Sequence, residues 1–564
     1  YLSVIGETLC RLKRLSKMKS RIFLSLLLVV VLLAFAVRTE QPTAVPASDS
    51  IRISDLRRHV MSLTSDDFNG RLSGTEGNQL AVEFVRSHFA RLGLEPANGY
   101  SFLSSFDLIV PTLGPDNDNY ISVIIDGTPL APPQLGSDFY PERFSGSSVI
   151  SAQELLFIGF GIFAPDLDHD DYDNVDVTGK IVVILNHEPG EFDSESPFDG
   201  AVPSEHSRPI RKAMEAKRRG AVAVLFVNDL HNHNAQVMNR ARMDRTWPSD
   251  PRLTPRYELG VWVDATELPV LNISTDLASR LLKTSRANLR ALAEQAETKN
   301  FKPESVELDI SISAEINRER LSQDNVIAAI KGSDPQLQEE WIILGAHLDH
   351  EGANGVRIYR GADDNASGVA GLLEIAEAYA LAAHEGSRPR RSVMFAAWNS
   401  EERGLLGSWS YTEQPLAPLS NTIALLNMDM IGRNEEIPSR GGSRFRGLPT
   451  QTAVSNENAV NILGYSFSLD LQRAVEIANN VDLTLRFRYD HSSSNLLRRS
   501  DQWPFLSKGV PALFVHTGLH PDYHTYRDQP EKLNYEKMAR IVKMVHQLSW
   551  NLSQQNLRPK FDRH

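Results

Sequence analysis

Four short motifs rich in acid and imidazole follow one another through the C-terminal half of the chain. They are His347-Leu348-Asp349, Gly361-Ala362-Asp363-Asp364-Asn365-Ala366-Ser367-Gly368, Ser400-Glu401-Glu402-Arg403-Gly404 and Asn427-Met428-Asp429. A late His524, within Tyr523-His524-Thr525-Tyr526, completes the set. Imidazole and carboxylate together hold borderline and hard divalent cations. This inventory suffices for two such ions and leaves a carboxylate free as a base, which is the equipment of metal-assisted hydrolysis. The single cysteine, Cys10, precedes an apolar run. Thiolate zinc sites, a cysteine nucleophile and disulfides are therefore excluded from the chain beyond it. Neither His-Glu-x-x-His nor Gly-x-Ser-x-Gly occurs, which removes support for classical zincins and serine hydrolases.

The elements that must position these groups are legible in the hydrophobic pattern. From about 305 the chain alternates strands and helices. Val306–Ile312, Asn325–Ile330, Trp341–Ala346, Ser392–Trp398, Thr422–Met428 and Ala512–His516 read as strands. Val369–Ala383, Leu469–Asn480 and Tyr535–Leu552 read as helices. Alternation of this kind predicts an α/β fold with a mainly parallel central sheet and helices on both faces. Ligands of such sheets gather at the carboxyl ends of the strands. His347 with Asp349, Glu401 with Glu402, and Asp429 each follow a different predicted strand. Independent core requirements would not place three such groups at one edge.

The spacings are chemically sensible. His347 and Asp349 are two residues apart and point the same way along an extended chain. Asp349 can then hydrogen-bond the ring nitrogen of His347 that faces away from a metal. Glu401 and Glu402 can divide the work, one ligating and one accepting a proton. Gly361 and Gly368 bracket a loop whose backbone must come close to the site.

Upstream of about 305 the character differs. Lys13, Arg14, Lys17, Lys19 and Arg21 precede the apolar run Ile22–Val37, and Ala34-Phe35-Ala36 has the small-x-small pattern of a cleavage site. Residues 1–37 are therefore expected to be a signal peptide or an uncleaved N-terminal anchor. That implies an exported protein, periplasmic or extracellular. Residues 38–50 read as a linker, and 51–117 as a helical N-terminal part of the domain that carries the motifs. Residues 118–304 change to short strands such as Tyr120–Ile125, Glu154–Ile158, Lys180–Leu185 and Ala221–Val227, with a helix over Lys212–Arg219. They read as an inserted β-rich domain. The catalytic part then runs over 305–552, with 553–564 as a tail. The formal net charge of −12 argues against a nucleic-acid partner, which needs a basic face. Asp166-Leu167-Asp168-His169-Asp170-Asp171 resembles a calcium loop but has Asp171 where that loop needs glycine, and reads as a solvated acidic loop. His187-Glu188 and His231-Asn232-His233 lack helical metal spacing and read as surface residues.

The ordered motifs resemble the M28 family of zinc aminopeptidases over about 50–550. Asp501-Gln502-Trp503-Pro504-Phe505, Gly509-Val510-Pro511-Ala512 and Gly70-Arg71 add to that resemblance. The inserted region is similar to protease-associated (PA) domains through Gly159-Phe160-Gly161, Gly179-Lys180-Ile181-Val182-Val183 and Gly220-Ala221-Val222-Ala223. The resemblance implies a zinc exopeptidase-like fold, a peptide substrate and two Zn2+ per chain. His347 and Asp429 would bind one ion, Glu402 and His524 the other, and Asp364 would bridge them, with Asp363 as the competing bridge. Glu401 would be the general base, with Asp349 in support. Tyr489, His491 and Asp501 are candidates for substrate or transition-state contacts. Gln502 departs from the pattern, since many relatives carry His there. Three alternatives stand beside an aminopeptidase: a glutaminyl cyclase-like acyltransferase using one zinc, a glutamate-type carboxypeptidase, and a non-catalytic binding protein on the same fold.

Overall fold

Trp341–His347, Ser392–Trp398 and Thr422–Met428 are buried at every position, as strands covered on both faces must be. In the computed structural model they lie side by side. Ser392–Trp398 pairs parallel with Trp341–His347, which pairs parallel with Thr422–Met428, which pairs parallel with Ala512–His516. These four parallel strands are the centre of a ten-stranded sheet. Antiparallel strands flank them: Ile316–Ile330 and Leu103–Leu113 on one side, Ala459–Leu463 on the other. The structure describes residues 45–562, apart from 194, 199, 201, 236–237, 249–255 and 299–300. The basic and apolar N-terminal segment, Cys10 and most of the expected linker lie outside the described residues.

Side-chain alternation splits the strands between two layers. Ile343, Met394, Ala396, Leu425 and Phe514 join one cluster with Trp409 and Phe505. Phe395, on the opposite face, meets Tyr379 and Phe89 at ring separations of 5.6 and 6.4 Å. Tyr379 belongs to the helix Gly368–His384, which packs with Ile53–Leu63 and Tyr535–Gln554. The segment Ala362–His384 is apolar and long enough to cross a membrane, yet 78% of its most apolar window is buried in protein, so it is the core helix of this layer.

A second, eight-stranded sheet is built from strands between Tyr120 and Ala314. Ile181–Leu185 lies within it, parallel to both Ser148–Phe157 and Ala223–Val227. Both sheets belong to one compact unit running from Pro46. The division differs from the expected one in two places. Val306–Ile312, assigned to the catalytic part, lies within Glu304–Ala314, which pairs with Tyr120–Ile125 and Ser148–Phe157 in the second sheet. Glu258–Leu259, inside the expected insertion, pairs with Leu108 and Ile109 of the larger sheet. The physical reason is the same in both: an alternating strand buries one face whichever sheet it joins. In the acidic loop, Asp171 accepts from the Ile162 amide and Asp170 from the Tyr172 amide, so two carboxylates of that loop are engaged by backbone.

Candidate metal centre

The four parallel strands release their carboxyl ends to one edge, and the loops there carry the predicted residues. His347 closes its strand. Asp364 lies in the loop before the helix Gly368–His384. Glu401 and Glu402 form a short turn after Ser392–Trp398, Asp429 follows Thr422–Met428, and His524 lies in the loop after Ala512–His516. Gly361 has φ 54°, and a Cβ there would stand 2.0 Å from the Asp364 carbonyl oxygen and 2.6 Å from the His350 ring. A Cβ on Gly368 would meet the Met428 carbonyl oxygen at 2.3 Å. These two glycines let the Asp364 loop lie directly on its neighbours.

The side chains converge. His347 Nε2 is 3.2 Å from Asp364 Oδ1 and 3.3 Å from Asp429 Oδ1. His524 Nε2 is 3.1 Å from Asp364 Oδ2 and 3.1 Å from Glu402 Oε2. The Asp364 carboxylate thus spans two imidazoles, one on each oxygen. Ligand-type atoms of His347, Glu401 and Asp429 lie within 4.8 Å of one another. The choice between the adjacent aspartates is clear in geometry: Asp363 turns away, its carboxylate accepting from the Gly432 amide at 2.6 Å and lying 3.2 Å from His520 Nε2.

The supporting contacts correct one expectation. The Asp349 carboxylate is 3.9 Å from His347 Nδ1; its backbone carbonyl, at 3.3 Å, is what that ring nitrogen donates to. This still fixes the proton on Nδ1 and leaves Nε2 to face Asp364 and Asp429. The Asp349 carboxylate instead accepts from the backbone amides of Glu401 (2.9 Å) and Glu402 (3.3 Å) and from Ser73 Oγ. It therefore sets the turn that aims both glutamates. His516 Nδ1 donates to the Asp429 carbonyl at 2.9 Å and anchors that end of the site.

Several residues here were not expected. His350 Nδ1 lies 2.6 Å from Glu402 Oε1, on the oxygen that His524 leaves free. Glu351, in an ion pair of 2.9 Å with Arg403, sits within metal-ligand reach of Glu402 and His524. Asp528 accepts from the amides of Asp363 and Asp364 and holds their loop. His350 and Glu351 directly follow the first motif, and that adjacency is the one signal that could have flagged them. The expected substrate contacts have partners of their own. The Tyr489 hydroxyl donates to Glu435 and accepts from Gln451, and His491 is exposed and stacks on Phe467.

Charge is concentrated and buried. Burial opposes protonation of His347, but Glu401, Asp429 and Asp364 outweigh it and hold the imidazolium well above its ordinary range. His524 behaves likewise through Glu402 and Asp364. Burial also opposes ionisation of Asp364, yet the imidazoles of His347 and His524 beside its two oxygens keep it well below the carboxylate range. Glu401 is pushed well up by burial and by Glu402, Asp429 and Asp501. His347 Nε2, His350 Nε2 and Asp429 Oδ1 are buried without a hydrogen-bond partner. Buried carboxylates facing imidazoles, with polar atoms left unsatisfied, are the environment that bound cations relieve. The donor set, all nitrogen and oxygen, fits zinc or a similar ion.

Arg71, at the end of Asp66–Arg71, braces the backbone around the site. Its guanidinium donates to the carbonyls of Leu348, Leu63, Arg360 and Gly361 at 2.7–3.0 Å. Burial lowers its pKa to about 10 against the pull of Asp364 and Asp349. Each buried carbonyl stripped of its donor costs about 1–3 kcal/mol. Arg71→Met is therefore expected to reduce folding stability by at least about 3 kcal/mol, read as a lowered urea midpoint; an unchanged midpoint contradicts this role.

Asp501 gives a pH signature. It accepts a hydrogen bond from Ser408 Oγ, and its other oxygen is buried without a partner. Burial raises its pKa to about 7, against the pull of His347. An unfolded Asp titrates near ~3.9, so the folded, metal-free protein binds the extra proton between those values. Its stability contribution is full below the unfolded pKa and is lost as pH rises through about 7. Asp501→Asn should flatten that part of the stability–pH curve of chelator-treated protein; parallel curves for the two proteins count against it.

Residues 325–549 match the sequence profile of peptidase family M28. They form an M28 peptidase domain. Its profile match spans all five groups of the cluster, from His347 to His524. Among curated relatives, the probable glutamate carboxypeptidase AMP1 of Arabidopsis thaliana is 25% identical over 487 residues, covering 81% of this chain and 61% of that protein. Aminopeptidase NAALADL1 of Mus musculus is 33% identical over 149 residues, covering 26% of this chain and 18% of that protein. The solved aminopeptidase from Aneurinibacillus sp. strain AM-1 aligns at 18% identity and TM-score 0.44, covering 92% of this chain and 97% of that one. The chain spans 61% and 52% of the lengths of the first two curated relatives.

Proposed function

We propose that this protein is an exported, zinc-dependent exopeptidase, an aminopeptidase in the first instance, acting through the M28 domain. The observation that carries the reading is the Asp364 carboxylate set between His347 and His524, with Asp429 and Glu402 beside them. His347 and Asp429 would hold one zinc ion, Glu402 and His524 the other, and Asp364 both. Bound there, the ions would ease ionisation of water and polarise the scissile carbonyl. Glu401 is the residue that moves the proton: it takes one from the attacking water and returns it to the departing amine. Its amide is fixed by Asp349, and its carboxylate lies beside His347 and Asp429, where a water between the ions would sit within its reach. We read the second sheet as a protease-associated module and the segment Ile22–Val37, with its basic flank, as the export signal.

A second reading is a glutamate-type carboxypeptidase, since the relatives with that printed name match 81% and 69% of this chain. The test is a panel of amino-acid arylamides with free and acetylated amino termini beside peptides ending in glutamate, each with and without chelator. Chelator-sensitive cleavage of the free-amine arylamides supports the first reading. Cleavage only of glutamate-terminated peptides selects the second. Inactivity on every member, with metal bound, overturns both and favours a binding protein.

A further inference from the structure

A second metal-type cluster lies outside the M28 domain. His187 and His233, expected to be surface residues, are only partly exposed, at 32% and 26% of their side chains, and both meet Glu191. Glu191 Oε2 is 3.3 Å from His187 Nδ1 and 2.7 Å from His233 Nε2. The two imidazoles stack with centroids 4.0 Å apart, and one ligand-type atom from each of the three residues lies within 4.8 Å of the others. His187 and Glu191 follow the strand Ile181–Leu185, and His233 follows its parallel neighbour Ala223–Val227. We propose that His187, Glu191 and His233 form a separate binding site for a divalent transition-metal ion of the zinc class.

The donors decide the class of ion. Two imidazoles and one carboxylate suit zinc and its late first-row neighbours, whereas calcium and magnesium want a shell of oxygens. Three protein ligands leave the remaining position to water, which the partial exposure of the cluster permits. Neutral imidazole is the form of histidine that ligates.

The cluster is also pre-positioned. Glu297 accepts from the Gly190 amide at 2.6 Å and from Asn232 Nδ2 at 2.8 Å, so one carboxylate ties the residues immediately before Glu191 and before His233. Asn232 is held again by Asp229, which also accepts from the His231 amide. The Lys212 ammonium donates to the carbonyls of Leu185 and His187. Outer contacts that fix both ligand-bearing loops are what a metal site requires, whereas a solvent-exposed ion pair forms without them. The same loop reaches the M28 domain: Glu188 accepts from the Ser204 amide, Glu205 from Trp503 Nε1, and the Val202 carbonyl from Arg498. An ion at His187 would thus brace a segment leaning on the residues beside Asp501.

The full chain, equilibrated with zinc and freed of excess by gel filtration, is assayed for metal content alongside Glu191→Gln and the double variant His187→Asn/His233→Asn. Wild-type protein is expected to retain one ion more than either variant, and Glu297→Gln to bind that ion about 10–100-fold more weakly. The difference between proteins is read whether or not the M28 domain hydrolyses anything, so it stands apart from the proposed activity. Equal metal content in folded wild-type and variant chains overturns the site. Should the variants fail to fold, zinc-edge anomalous diffraction from the wild-type chain decides: a peak between His187 and His233 supports the site, and its absence there at saturating zinc overturns it.

Discussion

Replacing Glu401 by glutamine is expected to lower turnover by about 10²–10⁴-fold while leaving zinc content unchanged. The change keeps the size of the side chain and removes only its capacity to take a proton. Glu401 lies with His347 and Asp429, while its neighbour Glu402 faces His350 and His524. The turn that separates them is held by the Asp349 carboxylate on both amides. Kinetics of hydrolysis and metal analysis on the same preparation give both halves of the result. Loss of zinc with turnover following it would exchange the roles of the two glutamates, and near wild-type turnover would remove Glu401 from the chemistry.

Asp364→Asn is expected to weaken binding of both ions by more than the roughly 10–100-fold that loss of an outer-shell partner costs, and turnover should fall with them. Asp364 contacts His347 through one oxygen and His524 through the other, and no other residue among those described touches both halves of the cluster in this way. Without its negative charge, the amide cannot serve as a bridging anion. Asp363→Asn is the matched control. That side chain holds Gly432 and lies against His520, so its loss should lower stability first. Zinc affinities measured by competition with a chromophoric chelator separate the two. Equal losses from both variants would mean that the loop acts as a whole and that Asp364 has no special place.

His347, Glu401, Glu402 and Asp429 were legible in the sequence as one cluster because they sit at or just past the ends of strands that are continuous apolar runs. Trp341–His347, Ser392–Trp398 and Thr422–Met428 are buried throughout, and a run of that kind followed by acid or imidazole marks a sheet edge. What was hidden was hidden for stated reasons. Asp528 acts through backbone amides of residues more than 160 positions away, and no local pattern encodes such a contact. His350 and Glu351 lie past the end of the strand, where alternation ceases to say which way a side chain points. Glu304–Ala314 alternates in the same way for either sheet, so its partner is chosen by packing. His187, Glu191 and His233 come together only because two parallel strands are neighbours, which sequence spacing does not reveal.

Zinc-edge anomalous diffraction from crystals of the full chain tests the central claim most directly. The account predicts two peaks on either side of the Asp364 carboxylate, about 3.5–4 Å apart as in bridged two-metal sites. One should lie beside His347 and Asp429 and the other beside Glu402 and His524. A single peak at saturating zinc, or peaks that leave Asp364 uncoordinated, would contradict it.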